Sequence, residues 1–268
     1  TGTEAALFAV RAARAFTGKN RIIKFYGHYH GLDDQFCVAT TNTSDETSSA
    51  GIPEESLKNT VLLKFNDIGA VRSKLAEDNN IAAVILDPQM DQGGLWPASG
   101  KYLEELRKLT EERGIVLIFD EIITGFRLAL GGAQEYFGVT PDLAIVSKGI
   151  AAGAKFAAVL GKEEIMDTLA PKGLAASTKK LALHGGTYID GTMAIAAAIA
   201  AMKVYKKLKE KGEYQRLFQL AEKLKTGIEM VFKQRGMPLH INMLGPSLKL
   251  YFTNLEPSFD VYCNLDMT

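Results

Sequence analysis

The chain is nearly devoid of cysteine: Cys37 and Cys263 are the two thiols in 268 residues. They lie far apart and show no metal-ligand spacing. That excludes a disulfide framework and a cysteine-based zinc module, and makes free thiols in a reducing, cytoplasmic compartment the expectation. Net charge is also missing, since 31 Lys and Arg balance 31 Asp and Glu. No overall basic field points to nucleic acid or an anionic membrane. No apolar run reaches 18 residues without a charge. The longest, "MAIAAAIAAMKVYKKL" (193–208), gains lysines after ten residues and reads as a packed helix, not a membrane span. The sequence does not begin with Met, and no secretory leader is expected. The chain starts at "TGTEAA", already within a helix signal, so a preceding N-terminal segment is expected. Finally, no G-x-G-x-x-G joins a first strand to a helix, which argues against a nucleotide-binding Rossmann dehydrogenase.

What remains is a chain long enough to bury one large core or two smaller ones. Short apolar runs alternate with helical patterns. The runs are "RIIKF" (21–25), "TVLLKF" (60–65), "IAAVIL" (81–86), "IVLIF" (115–119), "LAIVS" (143–147) and "FAAVLG" (156–161). Most are apolar on both faces, as buried parallel strands are. Helical spacing covers 4–16, 67–79, 99–113 and 132–137. This alternation predicts an α/β architecture around a central, mainly parallel sheet. Near residue 190 the pattern changes to two long helices, about 192–211 and 213–235, followed by strand-like "LHINMLGPSLKLYFT". The predicted organisation is a large domain over 1–190, a connecting helix over 191–211 and part of a small α+β domain over 212–268. The Ser/Thr-rich stretch 39–56 reads as a surface loop.

In open parallel sheets, ligands bind beyond the carboxyl ends of the strands. Three strand ends here carry ionisable groups: Asp87 after "IAAVIL", Asp120 after "IVLIF" and Lys148 after "LAIVS". One crossover separates Asp120 from Lys148, which puts both on one rim. An acid at such a position is as often a turn former, and Asp87 alone stays open between the two roles. Lys148 is surrounded by small residues in "SKGIAAGAKFAAV", giving a ligand close access. An amine desolvated there loses its proton readily and attacks carbonyls to form imines. The fourth element is "TGTEAALFAVRAARAF": Thr1 and Glu4 have capping-box spacing, Gly2 permits close backbone approach, and the free amides of the first turn suit a phosphate. A phosphate seat, a reactive lysine and a buried carboxylate together meet the needs of pyridoxal 5′-phosphate (PLP): an anion anchor, an imine partner, and an anion facing a protonated ring nitrogen.

At these residues the sequence resembles the class III (ω-type) aminotransferases of PLP fold type I, particularly their glutamate-1-semialdehyde 2,1-aminomutase branch. The likeness runs from residue 1 to about 205. It is carried by "TGTEAALFAVRAARAFTGKNRIIKFYGHYHG", "IVLIFDEIITGFRLALGGAQEYFGVTPDL", "SKG" and "HGGTY". The resemblance implies a three-layer α/β/α large domain with a smaller C-terminal domain. It implies that Gly2 and Thr3 hold the phosphate, that Tyr29 stacks on the pyridine ring with His30 nearby, that Asp120 bonds the ring nitrogen, and that Ile122 packs beneath the ring. Lys148 would form the imine, and Thr187 would reach the phosphate bound in the partner subunit of a homodimer that shares its active sites. Arg127 would be structural, paired with an acid. Strand alternation separates Asp120, facing the cofactor with Ile122, from Glu121, facing the surrounding structure.

Three stretches depart from the family pattern. "DPQMDQGG" stands where Glu-Pro is usual, "GIAAGAKFAAVLG" replaces a Gly-rich, Pro-containing run, and "GTYIDGTMA" lacks the usual Asn and Pro. The ring-holding residues are kept while those around the mouth of the site differ. The implied activity is amino-group transfer from an amine or amino acid to a carbonyl acceptor. The alternatives are an aminomutase using the same half-reactions and, third, a catalytically altered relative.

Overall fold

The computed structural model describes residues 1–40, 45, 47–169, 181–255 and 258. Its elements in chain order are helix α1 (Gly2–Thr17), strands β1 (Arg21–Phe25) and β2 (Thr60–Leu63), α2 (Ile68–Glu77), β3 (Ile81–Leu86), β4 (Gln89–Met90), β5 (Trp96–Pro97), α3 (Gly100–Glu112), β6 (Val116–Asp120), α4 (Gly132–Phe137), β7 (Leu143–Val146), β8 (Ala158–Gly161), α5 (Glu163–Met166), α6 (Thr192–Glu210), α7 (Glu213–Gln234), β9 (His240–Leu244) and β10 (Ser247–Tyr251). The central sheet has the order β2-β1-β3-β6-β7-β8. All its pairs are parallel except β7 with β8, which is antiparallel.

Both sheet faces are covered, which explains why β3, β6 and β7 are buried throughout and apolar except for Asp120 at the end of β6. Ile23, Phe25, Val84, Leu86, Leu117 and Phe119 pack against Val71 and Leu75 of α2 and Leu103 and Leu106 of α3. The alternate residues Ile22, Ala83, Ile85, Val116, Ile118 and Ile145 pack against the alanines of α1. The result is the expected α/β/α layering. Small residues on α1 let it lie close to the sheet; Ala6, Ala9, Ala12 and Ala13 are fully buried.

The run "TVLLKF" ends as a strand at Leu63, and in "FAAVLG" the strand begins at Ala158. In the C-terminal part, β9 and β10 form an antiparallel hairpin. This hairpin is tied to the large unit at one carbonyl: Gly94 accepts from Asn242 Nδ2 at 3.0 Å and from the Tyr251 hydroxyl. Cys37 is a buried free thiol, and Cys263 lies outside the described residues. Within the predicted surface loop the described chain includes a single-turn helix, Glu54–Leu57, and a bridge from Val38 to Thr47. Among the described residues no helix is long and apolar enough to cross a membrane.

Candidate active site

Register places the strand-end groups side by side. Leu86 pairs with Phe119, so Asp87 and Asp120 are the next residues of adjacent parallel strands. Asp120 pairs with Ile145, and Lys148 follows three residues later at the same end of β7. The chain leaves β1 at this rim too, as the segment carrying His28, Tyr29 and His30.

Asp120 is buried and doubly held. Its Oδ2 accepts from His30 Nδ1 at 2.8 Å and its Oδ1 from the Ile122 amide at 3.1 Å. An ionised carboxylate only accepts, so Nδ1 of His30 carries the proton. Burial lowers the His30 pKa, a nearby Lys24 charge lowers it further, and Asp120 works against both. His30 is therefore a neutral donor, and the contact is a charge-assisted hydrogen bond in place of an ion pair. Asp87 is pushed well above the usual carboxylate range, first by burial and then by the charge of Asp120, against amide hydrogen bonds from Gln89 and Asp91. Its own amide donates to His28 Nδ1 at 3.0 Å. Asp87 is thus held toward its protonated form at this rim.

The alternation expected past Asp120 is observed. Ile122 packs with the α1-side core. Glu121 turns away, and its carboxylate caps the start of α4, accepting from the amides of Ala133 at 2.6 Å and Gln134 at 3.0 Å and from Thr124 Oγ1 at 2.8 Å. Burial raises its pKa and these four-sided hydrogen bonds, including Gln134 Nε2, oppose that shift.

The N-terminus of α1 closes the arrangement. Thr1 and Glu4 form the capping box, with the Glu4 amide donating to Thr1 Oγ1 at 3.3 Å. The amides of Gly2 and Thr3 precede the first intrahelical bond and are free to bind an anion. A β-carbon at Gly2 would lie 2.6 Å from Ile122 Cδ1, so any larger residue would push the end of that side chain aside. Gly31, at φ +99°, lies against Thr3: a β-carbon there would be 2.6 Å from Thr3 Oγ1. The Leu32 amide donates to the same hydroxyl at 3.3 Å. Gly2, Thr3, His30, Asp120 and Ile122 are therefore linked by contacts, with Tyr29 adjacent in the chain and 41% exposed.

Lys148 departs from expectation in one respect. Its side chain is exposed within this chain, so the desolvation anticipated for the amine is not supplied by the described residues. Its backbone is strained, with φ +39°, a conformation that L residues disfavour. The turn 148–151 is held from outside: the Tyr205 hydroxyl of α6 donates to the Gly149 carbonyl at 2.7 Å, and Tyr205 stacks on Phe126 with centroids 5.5 Å apart. Ser147 Oγ donates to the Phe156 carbonyl at 2.8 Å. Thr187 lies exposed in the turn 187–190. The neighbouring residues Leu183 and His184 contact Arg11 and Phe8 of α1, on its outer side. Among the described residues, Thr187 shares no contact with Asp120 or Lys148. Arg127 was expected to pair with an acid; among the described residues its partner is the Ile123 carbonyl at 3.2 Å. A separate apolar cavity of about 340 Å³, lined by Leu128, Tyr136, Tyr214 and Phe218 among others, lies between the α4 region and α7, away from these groups.

Sequence reasoning missed Tyr205, His28 and Lys24. A lysine inside the apolar run "RIIKF" was a usable signal. The Tyr205 contact spans 56 residues and had none.

A model of the family "Aminotransferase class-III" matches residues 1–246. A glutamate-1-semialdehyde 2,1-aminomutase of Desulfotalea psychrophila is 41% identical over 257 residues, covering 94% of this chain and 57% of the relative. One of Methanococcoides burtonii is 38% identical over 94% of this chain and 58% of its own length. Among solved structures, an omega-transaminase from Sphaerobacter thermophilus superposes with a TM-score of 0.88 at 34% identity, over 100% of this chain and 61% of that one. A glutamate-1-semialdehyde aminomutase from Pseudomonas aeruginosa in complex with PMP superposes with a TM-score of 0.80 at 26% identity, over 99% and 59%. The chain belongs to the class III aminotransferase family. It spans a little under three-fifths of the length of these curated relatives.

Proposed function

We propose that this class III family member binds PLP and moves an amino group from an amine or amino acid to a carbonyl acceptor. The observation that carries the reading is the buried Asp120 carboxylate, held by neutral His30 on the rim where Lys148 stands at the next strand end. The residues fit the group. Asp120 is a fixed anion at the end of a buried strand, Gly2 and Gly31 keep side chains out of a tight cradle, and the first amides of α1 are open to a phosphate.

When bound, PLP supplies an aldehyde and an electron-accepting pyridine ring. Asp120 holds the proton on the ring nitrogen, and His30 holds Asp120 in the acceptor state. Ile122 forms an apolar floor on one side, and Tyr29 offers its exposed ring to the other. Gly2 and Thr3 bind the phosphate through their amides and the Thr3 hydroxyl. Lys148 would present Nζ to the aldehyde carbon, and its amine would serve as the base that takes a proton from the amine-bearing carbon of the substrate and gives it back. Thr187 reaches the phosphate in the partner subunit of a homodimer. A partner subunit would also cover Lys148, which is exposed among the described residues. In this reading the large domain covers 1–190, the α6 region links it to a smaller C-terminal part over 212–268, and the protein works in the cytoplasm.

A second reading is supported by the curated relatives, which carry the aminomutase name at 38% and 41% identity. An aminomutase needs the same residues but returns the amine to the adjacent carbon of the retained molecule.

The test is cofactor capture. Purified protein supplied with PLP should turn yellow, and borohydride should fix the cofactor mass to the peptide containing Lys148. Attachment to another lysine, or no uptake, overturns the reading. Assays with amine donors and carbonyl acceptors, beside one for glutamate-1-semialdehyde isomerisation, separate transfer from mutase activity.

A further inference from the structure

Lys24 has no part in the roles assigned above, yet its side chain is fully buried in the middle of β1. It shares the α1-side parity of Ile22, the face on which Asp120 also lies. Removing an ammonium from water is costly unless it is well partnered. Its hydrogen bonds run to three main-chain carbonyls: Val38 at 2.7 Å, and Phe25 and Ala39 at 3.5 Å each. Among the described residues it forms no ion pair with a carboxylate.

Two of those carbonyls also hold the turn that leads to the site. Phe25 accepts from the His28 amide at 3.2 Å, and Ala39 accepts from the Gly27 amide at 2.8 Å. These are the bonds that swing the chain out of β1 into the segment carrying Tyr29 and His30. Ala39 itself has φ +49°, a conformation that a residue with a β-carbon adopts only when its surroundings enforce it. The Lys24 amine sits at the point where the strand end, the turn and the returning loop meet.

We propose that Lys24 is a positioning residue: by binding the Phe25 and Ala39 carbonyls that anchor the turn, it sets His30 in place against Asp120. The consequence for catalysis rests on the function proposed above, whereas the effect on the His30–Asp120 bond does not. The titratable groups around Lys24 are Cys37 from the returning loop and His28 and His30 from the turn, with Asp120 and Asp87 beyond them. Burial lowers Lys24 to about 7, and its charge depresses both histidines.

The experiment is nuclear magnetic resonance on the whole cofactor-free chain with ¹⁵N-labelled histidine, comparing wild type with Lys24→Met. The chain has 4 histidines, so His30→Gln assigns the ring. The expected result is exchange of the His30 Nδ1 proton with solvent roughly tenfold faster in Lys24→Met, with amides of β3 and β6 unchanged. Unchanged His30 exchange, or a uniform loss of protection across β3 and β6, overturns the proposal. If Lys24→Met does not fold, the wild type decides: the His30 ring shifts should inflect with the Lys24 midpoint, and a flat response there overturns it. Because PLP takes no part, failure of Lys148 labelling would sink the proposed function while leaving this result standing.

Discussion

His30 donates its Nδ1 proton to Asp120 Oδ2 across 2.8 Å, with both side chains sealed from solvent. A buried carboxylate without a cation beside it is expensive, and a neutral imidazole compensates only in part. In the proposed function, a protonated cofactor ring nitrogen would complete the pair. Asp87, one strand over, is kept toward its acid form by burial and by Asp120, so the two carboxylates do not compete for that role.

Asp120→Asn keeps the shape and removes the charge. PLP affinity should fall about 10- to 100-fold, the effect of losing one charge-assisted hydrogen bond of roughly 1.5–3 kcal/mol. Titration of the visible absorbance measures it, and an unchanged affinity would contradict the role given to Asp120.

Lys148→Ala should abolish borohydride fixation and lower turnover by at least about 10²-fold, the usual contribution of a positioned proton-transfer group. Since the side chain is exposed, thermal stability should move by no more than about 0.5 kcal/mol. A turnover equal to wild type would remove Lys148 from the mechanism.

Glu121→Ala strands the buried amide of Ala133 and takes a partner from Thr124 Oγ1. The expected loss is about 2–4 kcal/mol in denaturant unfolding. PLP binding by the folded fraction should persist, because Glu121 faces α4 and not the site.

Gly2→Ala should weaken phosphate and PLP binding, because the added methyl meets Ile122 Cδ1 at 2.6 Å. Ile122→Val deletes that terminal methyl, so the double variant should recover part of the loss. A coupling energy near zero in the double-mutant cycle would show that the two residues act separately.

Lys24 carries a pH signature in stability. Its folded pKa, about 7, is below the ordinary lysine value of 10.5, so between those values the unfolded chain binds more protons. Stability from this group therefore rises with pH across that window, with a slope of up to about 1.4 kcal/mol per pH unit. Lys24→Met should flatten that rise in chemical denaturation series. A wild-type curve already flat over the same range would contradict a buried, depressed Lys24.

The order of elements, the mainly parallel sheet, the strand ends carrying Asp120 and Lys148, and the Thr1–Glu4 cap follow from local signals. Apolar runs, 3.6-residue spacing and capping chemistry each act within a few residues. The split between Asp120 and Glu121 was legible for the same reason, because strand alternation has a fixed period of two. Tertiary structure alone decided the rest. It brought His30 to Asp120 across 90 residues, seated Gly2 on Ile122, and set Tyr205 under the Lys148 turn. It also left Lys148 exposed within one chain, where sequence suggested a desolvated amine, since small neighbours specify access but not what covers it. Pairings between distant segments are fixed by sheet register and by how loops return. Those depend on the whole packed core, and no short stretch of residues encodes them.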